Sequence, residues 1–237
     1  MKGDRANDIA YAGLDPRDAP AYTVADAARY LHLPTSTLRW WVLGGRYATR
    51  GGVEVSAPVI ALVDPERRML SFRNLVEAHV LSALRRQHSV QLPAVRRAVE
   101  YMKDRYGSAH PLTDPRLVTD DVDLFVREYN SALVNVSGGG QTAMPDMVSK
   151  YIHRVAWDES GVLNALYPIV GDRLDGPRVV VITPLMGLGQ PTITGTGIRT
   201  AILAGRRRAG ESLQHLAKDY GRPVAEIREA LRYEEAA

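Results

Sequence analysis

The chain contains no cysteine, so a disulfide framework, a thiolate zinc site and a cysteine nucleophile are all excluded. No apolar run approaches the roughly 18 residues that a membrane helix needs. The opening MKGDRANDIA lacks the apolar stretch of a secretory signal, and a cytoplasmic protein is expected. What remains is an ordinary globular composition. The 237 residues are 45% hydrophobic and 24% charged, with 14 Pro and 20 Gly spread along them, which excludes a disordered or collagen-like chain. That length accommodates one large domain or several small ones.

A formal net charge of +3 does not by itself identify a polyanion partner. The distribution is more informative. Lys and Arg outnumber Asp and Glu by 4 to 1 over residues 22–50, by 9 to 4 over 66–106 and by 8 to 4 over 199–232, whereas 110–160 hold 4 against 8. A basic, acidic, basic chain suggests separate surfaces for separate partners.

Periodicity and punctuation divide the chain. Residues 1–21 have no apolar period and read as an arm. Thr23 is a good N-cap for a short helix with Val24, Ala27, Ala28 and Leu31 at helical spacing. His32-Leu33-Pro34 stops it, and Thr35 or Ser36 can cap a second helix through Leu38, Trp41 and Val42 that ends at Gly44-Gly45. A loop with Arg46, Arg50 and Gly51-Gly52 follows. The runs Val59 to Val63 and Met69 to Phe72, separated by Asp64-Pro65-Glu66-Arg67, then read as a hairpin that serves as a wing. Ser71 caps a helix with Phe72, Leu75, Val76, Val80, Ala83 and Leu84 on one face, and another helix runs from near Pro93 to Tyr106. Leu117-Val118, Leu124 to Val126 and Leu133 to Val136 have the length of strands, and Met147 to Val155 can be helical. Val179 to Thr183 and Pro191 to Thr194 suggest a second hairpin, ahead of three helices broken at Ala209-Gly210 and Gly221-Arg222-Pro223. The expected fold is α+β and mainly helical. It comprises an arm (1–21), a winged helix-turn-helix with following helices (22–110), a small sheet-containing middle (111–177) and a hairpin plus three-helix bundle (178–237).

Both ends carry the spacing of two helices around a sharp turn: Ala28, Leu38 and Trp41 in the first, Ala217, Ile227 and Ala230 in the second. The first has His32 where the second has Gly221, which leaves a left-handed turn less assured. Any antiparallel helix pair can show such spacing. The first is favoured for nucleic acid because Thr35, Ser36, Thr37, Arg39 and Trp40 project from the start of its second helix, where hydroxyls and helix N–H groups suit phosphate and an Arg reaches a guanine edge. Arg46 and Arg50 follow. Trp40 and Trp41 are read first as core or hairpin packing.

Enzyme signatures fail. Gly138-Gly139-Gly140-Gln141-Thr142 lacks a phosphate-loop lysine, and Gly187-Leu188-Gly189 lacks the third dinucleotide glycine. No cofactor is expected. His32, His79, His88, His110, His153 and His215 show no metal-protease spacing, and Asp114, Asp120, Asp121 and Asp123 read as a solvated acidic turn, so no metal site is expected.

Residues Tyr22 to Leu31 with Thr37-Leu38-Arg39-Trp40-Trp41 resemble the MerR type of winged helix-turn-helix over about residues 22–88. Gly189-Gln-Pro-Thr-Ile-Thr-Gly-Thr-Gly-Ile-Arg-Thr200, with Ala209 to Leu213, Leu216 to Tyr220 and Ile227 to Tyr233, resembles a small prokaryotic antitoxin domain known by a Gly-Thr-Arg-Ile-like signature. Here Gly197 stands at the arginine position and Arg199 comes two later. Together with Leu133 to Ser137, Gly140 to Ala143 and Tyr167-Pro168, nearly the whole chain resembles a mycobacterial VapB-type antitoxin. The resemblance implies a non-enzymatic, homodimeric type II antitoxin that binds operator DNA, represses its own promoter and neutralises a PIN-type ribonuclease toxin. A PIN-type toxin displays acids that hold Mg²⁺, so Arg206, Arg207 and Arg208 are candidate toxin contacts. The main alternative is a MerR-like regulator that senses a small molecule. A remoter one is a nucleic-acid enzyme using the acidic middle.

Overall fold

A computed structural model describes residues 13–49, 52–86, 96, 99–100, 103–104, 107–114, 150–171 and 173–236. The strands read at 117–136 and Arg50 lie outside these residues. Of the helix read from Pro93, the described positions Arg96, Val99, Glu100, Lys103 and Asp104 are helical.

The fold is α+β with an N-terminal helix-turn-helix. Strand β1 (Tyr22–Thr23) leads into α1 (Val24–Tyr30) through Thr23. Its hydroxyl oxygen accepts from Asp26 N (3.0 Å) and donates to the Asp26 carboxylate (2.7 Å), so one side chain satisfies an orphan helix donor and holds the first-turn acid. Helix α2 (Thr35–Leu43) follows a four-residue turn and buries Leu38, Trp41 and Val42. Neither Thr35 nor Ser36 caps it; Pro34 holds the N-cap position, with no side-chain cap bond.

The hairpin expected over 59–72 is reduced to one antiparallel bridge, between Asp64 and Met69 (2.9 and 3.4 Å), and the longer hairpin lies elsewhere. Strands β2 (Gly45–Thr49) and β3 (Gly52–Ser56) pair antiparallel in the region read as a loop. Val59 and Ile60 are buried without strand pairing, both donating to the Trp41 carbonyl (2.8 and 3.1 Å). Strand β4 (Met69–Leu70) crosses back to β1, with Tyr22 opposite Leu70 and Thr23 opposite Met69.

Helix α3 (Phe72–Arg86) starts at Ser71, whose Oγ accepts from Asn74 N (3.1 Å) while Asn74 Oδ1 accepts from Ser71 N (3.2 Å), a reciprocal cap. A single apolar face is expected, but every residue from Asn74 to Ala83 is buried. Its polar residues find internal partners: Asn74 donates to Glu77 (3.0 Å) and to the Ala61 carbonyl (2.9 Å), and His110 lies 3.2 Å from Glu77.

The arm expected to be loose is docked from residue 15. Arg17 donates to the Leu163 carbonyl (2.6 Å), Asp18 accepts from Arg73 (2.8 Å), and Ala19 is buried. Helical residues Lys150 to Ile152 precede β5 (Val155–Trp157), which pairs with β6 (Leu163–Leu166) around a turn held by the Asp158 carboxylate. Leu166 and Ile182 exchange backbone bonds (2.9 and 2.8 Å), tying β6 to the C-terminal region. There β7 (Val180–Val181) pairs with β8 (Thr192–Ile193) ahead of α4 (Thr200–Arg208), α5 (Leu213–Tyr220) and α6 (Val224–Glu235). One apolar core joins the N-terminal unit to Ile152, Val155, Leu163, Leu166 and Ile182; a second gathers Leu203, Leu216, Ile227, Ala230 and Tyr233.

Candidate nucleic-acid interface

The inward face of α2 is sealed into the core, which commits its other face to solvent. Thr35, Ser36 and Arg39 are exposed and Thr37 half-buried. Because no side chain caps the helix, the N–H groups of Thr35 and Ser36 and its positive dipole end remain available to an anion, that of Thr37 being bonded to the Pro34 carbonyl (2.9 Å). Arg39 has no ion-pair partner among the described residues.

Trp40 and Trp41 separate in role. Trp41 is 2% exposed and belongs to the core. Trp40 is half-buried against the start of the β2–β3 hairpin, where a Cβ on Gly45 would sit 2.2 Å from its ring. Gly44 turns the chain at φ +66, and a Cβ there would meet the Ser56 carbonyl oxygen at 2.1 Å. These two glycines seat the hairpin on α2 as well as ending the helix. The hairpin carries Arg46, which is exposed, opposite Val55, 72% exposed, with Val53 at 68%. Arg46 therefore shares the exposed surface of this unit with Thr35, Ser36 and Arg39. Val53 and Val55 escape the sequence reading; the signal was two five-residue stretches bracketed by glycine pairs.

The turn before α2 is left-handed despite its histidine. His32 has φ +51; its N–H donates to the Arg29 carbonyl (3.2 Å), and Leu33 N–H reaches back to Ala28 (2.9 Å). The C-terminal pair repeats this geometry with Gly221 at φ +61, Gly221 N–H to Lys218 (3.3 Å) and Arg222 N–H to Ala217 (2.9 Å). Both are the Schellman termination, and each is followed by a proline that opens the next helix. His32 tolerates the conformation because its ring is held: one nitrogen is 3.0 Å from the Ile169 carbonyl oxygen, the other 2.9 Å from that of Tyr233. The ring also packs 4.7 Å from Tyr233, whose hydroxyl donates to the Tyr30 carbonyl (2.9 Å).

The second unit presents a different surface. At the start of α6 Glu226 pairs with Arg222 (2.7 Å), and further along Glu229 pairs with Arg232 (2.7 Å) and Arg173 (3.1 Å), whereas Arg228, at the position equivalent to Arg39, is exposed and has no ion-pair partner among the described residues. In α4, Arg206 is clamped by Glu211 (2.6 Å) and by Asp219; the guanidinium holds both carboxyls below their usual range. Arg207 and Arg208 are exposed and donate only to the backbone carbonyls of Glu211 and Ala204. Gly197 has open space where a side chain would extend, and Arg199 reaches Gln190 (3.3 Å). Among the described residues no three His, Asp or Glu side chains gather as metal ligands. Asp120, Asp121 and Asp123 lie outside them.

Residues 20–99 match a family model described as "Putative DNA-binding HTH domain", and residues 180–233 match "Protein of unknown function (DUF433)". Fold and surface thus define a protein of the helix-turn-helix class, with a second small domain at its other end. Over 98% of its length the chain is 30% identical to the Mycobacterium tuberculosis protein named "Putative antitoxin VapB45", of which it covers 98%. The chain belongs to the family of that antitoxin. It is also 25% identical to the M. tuberculosis "Uncharacterized protein Rv2308" over 91% of this chain and 90% of that protein. The X-ray structure of Rv2018 from M. tuberculosis superposes with a TM-score of 0.68 at 28% identity, covering 90% of this chain and 98% of that one. Among the described residues no helix is long and apolar enough to cross a membrane.

Proposed function

We propose that this chain is a cytoplasmic type II antitoxin that represses its own promoter through the N-terminal helix-turn-helix and neutralises a PIN-type ribonuclease toxin. The observation that carries the DNA reading is the start of α2. Two exposed hydroxyls, uncapped helix N–H groups and an Arg39 without an ion-pair partner among the described residues share one solvent-facing side, backed by a buried apolar face. Aligned on the two turns, the second unit has Glu226, a carboxylate that opposes phosphate, in place of Thr37, and Arg228 in place of Arg39. DNA reading is therefore assigned to Thr35, Ser36, Thr37 and Arg39, with Arg46 on the hairpin, Arg50 beyond the described residues, and Trp40 as packing between helix and hairpin. One short helix reads few base pairs, so a homodimer on a pseudo-palindromic operator is expected. The rival MerR-like effector reading needs a long dimerising helix; α3 buries all of its residues from Asn74 to Ala83 within the chain, which supports the antitoxin instead.

Titrating the full chain against the DNA upstream of its own coding sequence tests this half. Arg39→Ala should weaken specific binding by about 1–3 kcal/mol if Arg39 reaches a base edge, and should mainly flatten the salt dependence if it touches phosphate. An unchanged titration removes Arg39 from the interface. For the toxin, Arg207 and Arg208 retain free charge whereas Arg206 is already neutralised. Co-purification of the full chain with the ribonuclease encoded beside it should weaken in the Arg207→Ala, Arg208→Ala double variant, and failure of the unaltered pair to associate rejects the toxin reading.

A further inference from the structure

We propose a phosphoryl-binding site, independent of the DNA and toxin surfaces, in the cleft between the turn His153–Arg154 and the segment 174–178. Arg154 is only 4% exposed. Its guanidinium donates from Nε and Nη2 to the Leu174 carbonyl (3.1 and 2.6 Å) and from Nη2 to the Gly176 carbonyl (2.6 Å). Among the described residues no carboxylate pairs with it, and Nη1 has no hydrogen-bond partner. Neutral carbonyls orient the group without cancelling its charge, so the cost of burying a cation is offset only in part, by the field of Asp175. Arg178 worsens this. Its guanidinium lies over the Tyr167 ring (5.3 Å) and donates to the His153 carbonyl (2.8 Å), close enough that its repulsion adds to burial in lowering the basicity of Arg154.

The Arg154 donors not spent on carbonyls, those of Nη1, and the Arg178 guanidinium held by a ring and a carbonyl line a cavity of about 230 Å³ together with Lys150 and His153. Asp175, the carboxylate that lines it, is 76% exposed and pairs with Lys150 (2.7 Å). Among the described lining residues three cations face one acid, leaving two positive charges. A phosphate monoester, carrying about −1.5 to −2 at neutral pH, balances that excess, and its several oxygens can accept from Arg154 Nη1 and from Arg178 at once. The cavity is small for a drug-sized ligand but admits one phosphoryl group with little else. An occupying dianion offsets both the burial of Arg154 and its repulsion from Arg178.

Calorimetric titration of the full chain with inorganic phosphate, against chloride at matched ionic strength, tests the site. Saturable binding that weakens at least tenfold in Arg178→Ala is expected. Arg154→Lys should weaken it similarly, with far-UV circular dichroism checking the fold because Arg154 also ties two strands of chain together. Parallel titration with adenosine monophosphate separates the sources: tighter binding than phosphate identifies a nucleotide ligand, and equal binding identifies the free ion. Heats no larger than those of chloride, or equal affinity in the unaltered chain and Arg178→Ala, overturn the proposal.

Discussion

Single side chains set the local geometry here through competition between small terms. His32 occupies a left-handed turn that a glycine fills in the second unit, at a strain on the order of 1 kcal/mol. Carbonyl oxygens lie 3.0 and 2.9 Å from its two ring nitrogens; the neutral imidazole donates to one of them, a bond worth about 0.5–1.5 kcal/mol that offsets the strain. That compensation is invisible in the sequence because both carbonyls come from far along the chain. Asp18 shows the same dependence on distant partners. Its bond to Arg73, opposed in part by burial, holds its carboxyl below the ordinary value of 3.8, and the pair pins the docked arm to α3. A group with a depressed folded value stabilises above its unfolded value and loses that contribution as pH falls through the folded one. Asp18→Asn should therefore be less stable than the unaltered chain by about 0.5–1 kcal/mol near neutral pH, given the 43% exposure of the Asp18 side chain. Urea unfolding should show the gap closing below about pH 4; a gap that persists at lower pH excludes the ion pair as its source.

Among the elements, those with local punctuation were legible. Thr23, Ser71 and the two turn–proline pairs mark helix boundaries where the structure has them, because capping and Schellman bonds involve residues within one turn of each other. The hairpin was not. Strand β3 is exposed at Gly52, Val53, Glu54 and Val55, so it has no alternating burial to betray a strand, whereas Val59 to Val63 has strand-like composition but is loop, of which Val59 and Ile60 are buried against α2. Gly44 is the hinge on which the hairpin's placement depends. Gly44→Ala should cost about 2 kcal/mol or more, from left-handed backbone strain and the close approach to the Ser56 carbonyl. The same variant should lose DNA affinity beyond what Arg46→Ala loses. Thermal unfolding and gel-shift titration read the two effects, and an Ala variant with unchanged melting contradicts the seating of the hairpin on α2.

Across the whole molecule, the two ends meet. The helix-turn-helix turn is clasped by the last helix through His32, Tyr30 and Tyr233, and Glu234 lies 3.8 Å from Arg29. Burial raises the Tyr233 hydroxyl well above its ordinary pKa, so it remains a donor to Tyr30 across the working pH range. Because His32 and Tyr233 hold the same junction, His32→Ala and Tyr233→Phe should be non-additive by about 0.5–1 kcal/mol in a double-mutant cycle. Additivity within about 0.3 kcal/mol means that the two contacts act independently.

Composition, caps and helical spacing were sufficient for the class of fold and for the α2 residues nominated to face DNA, since those depend on short-range hydrogen bonds and on which side of one helix is apolar. The position of the hairpin, the burial of α3 on all sides, the docking of the arm and the carbonyl cage around Arg154 came from folding. Each joins residues distant in sequence, and the gain from burying or bonding such pairs has no counterpart in any local window of the chain.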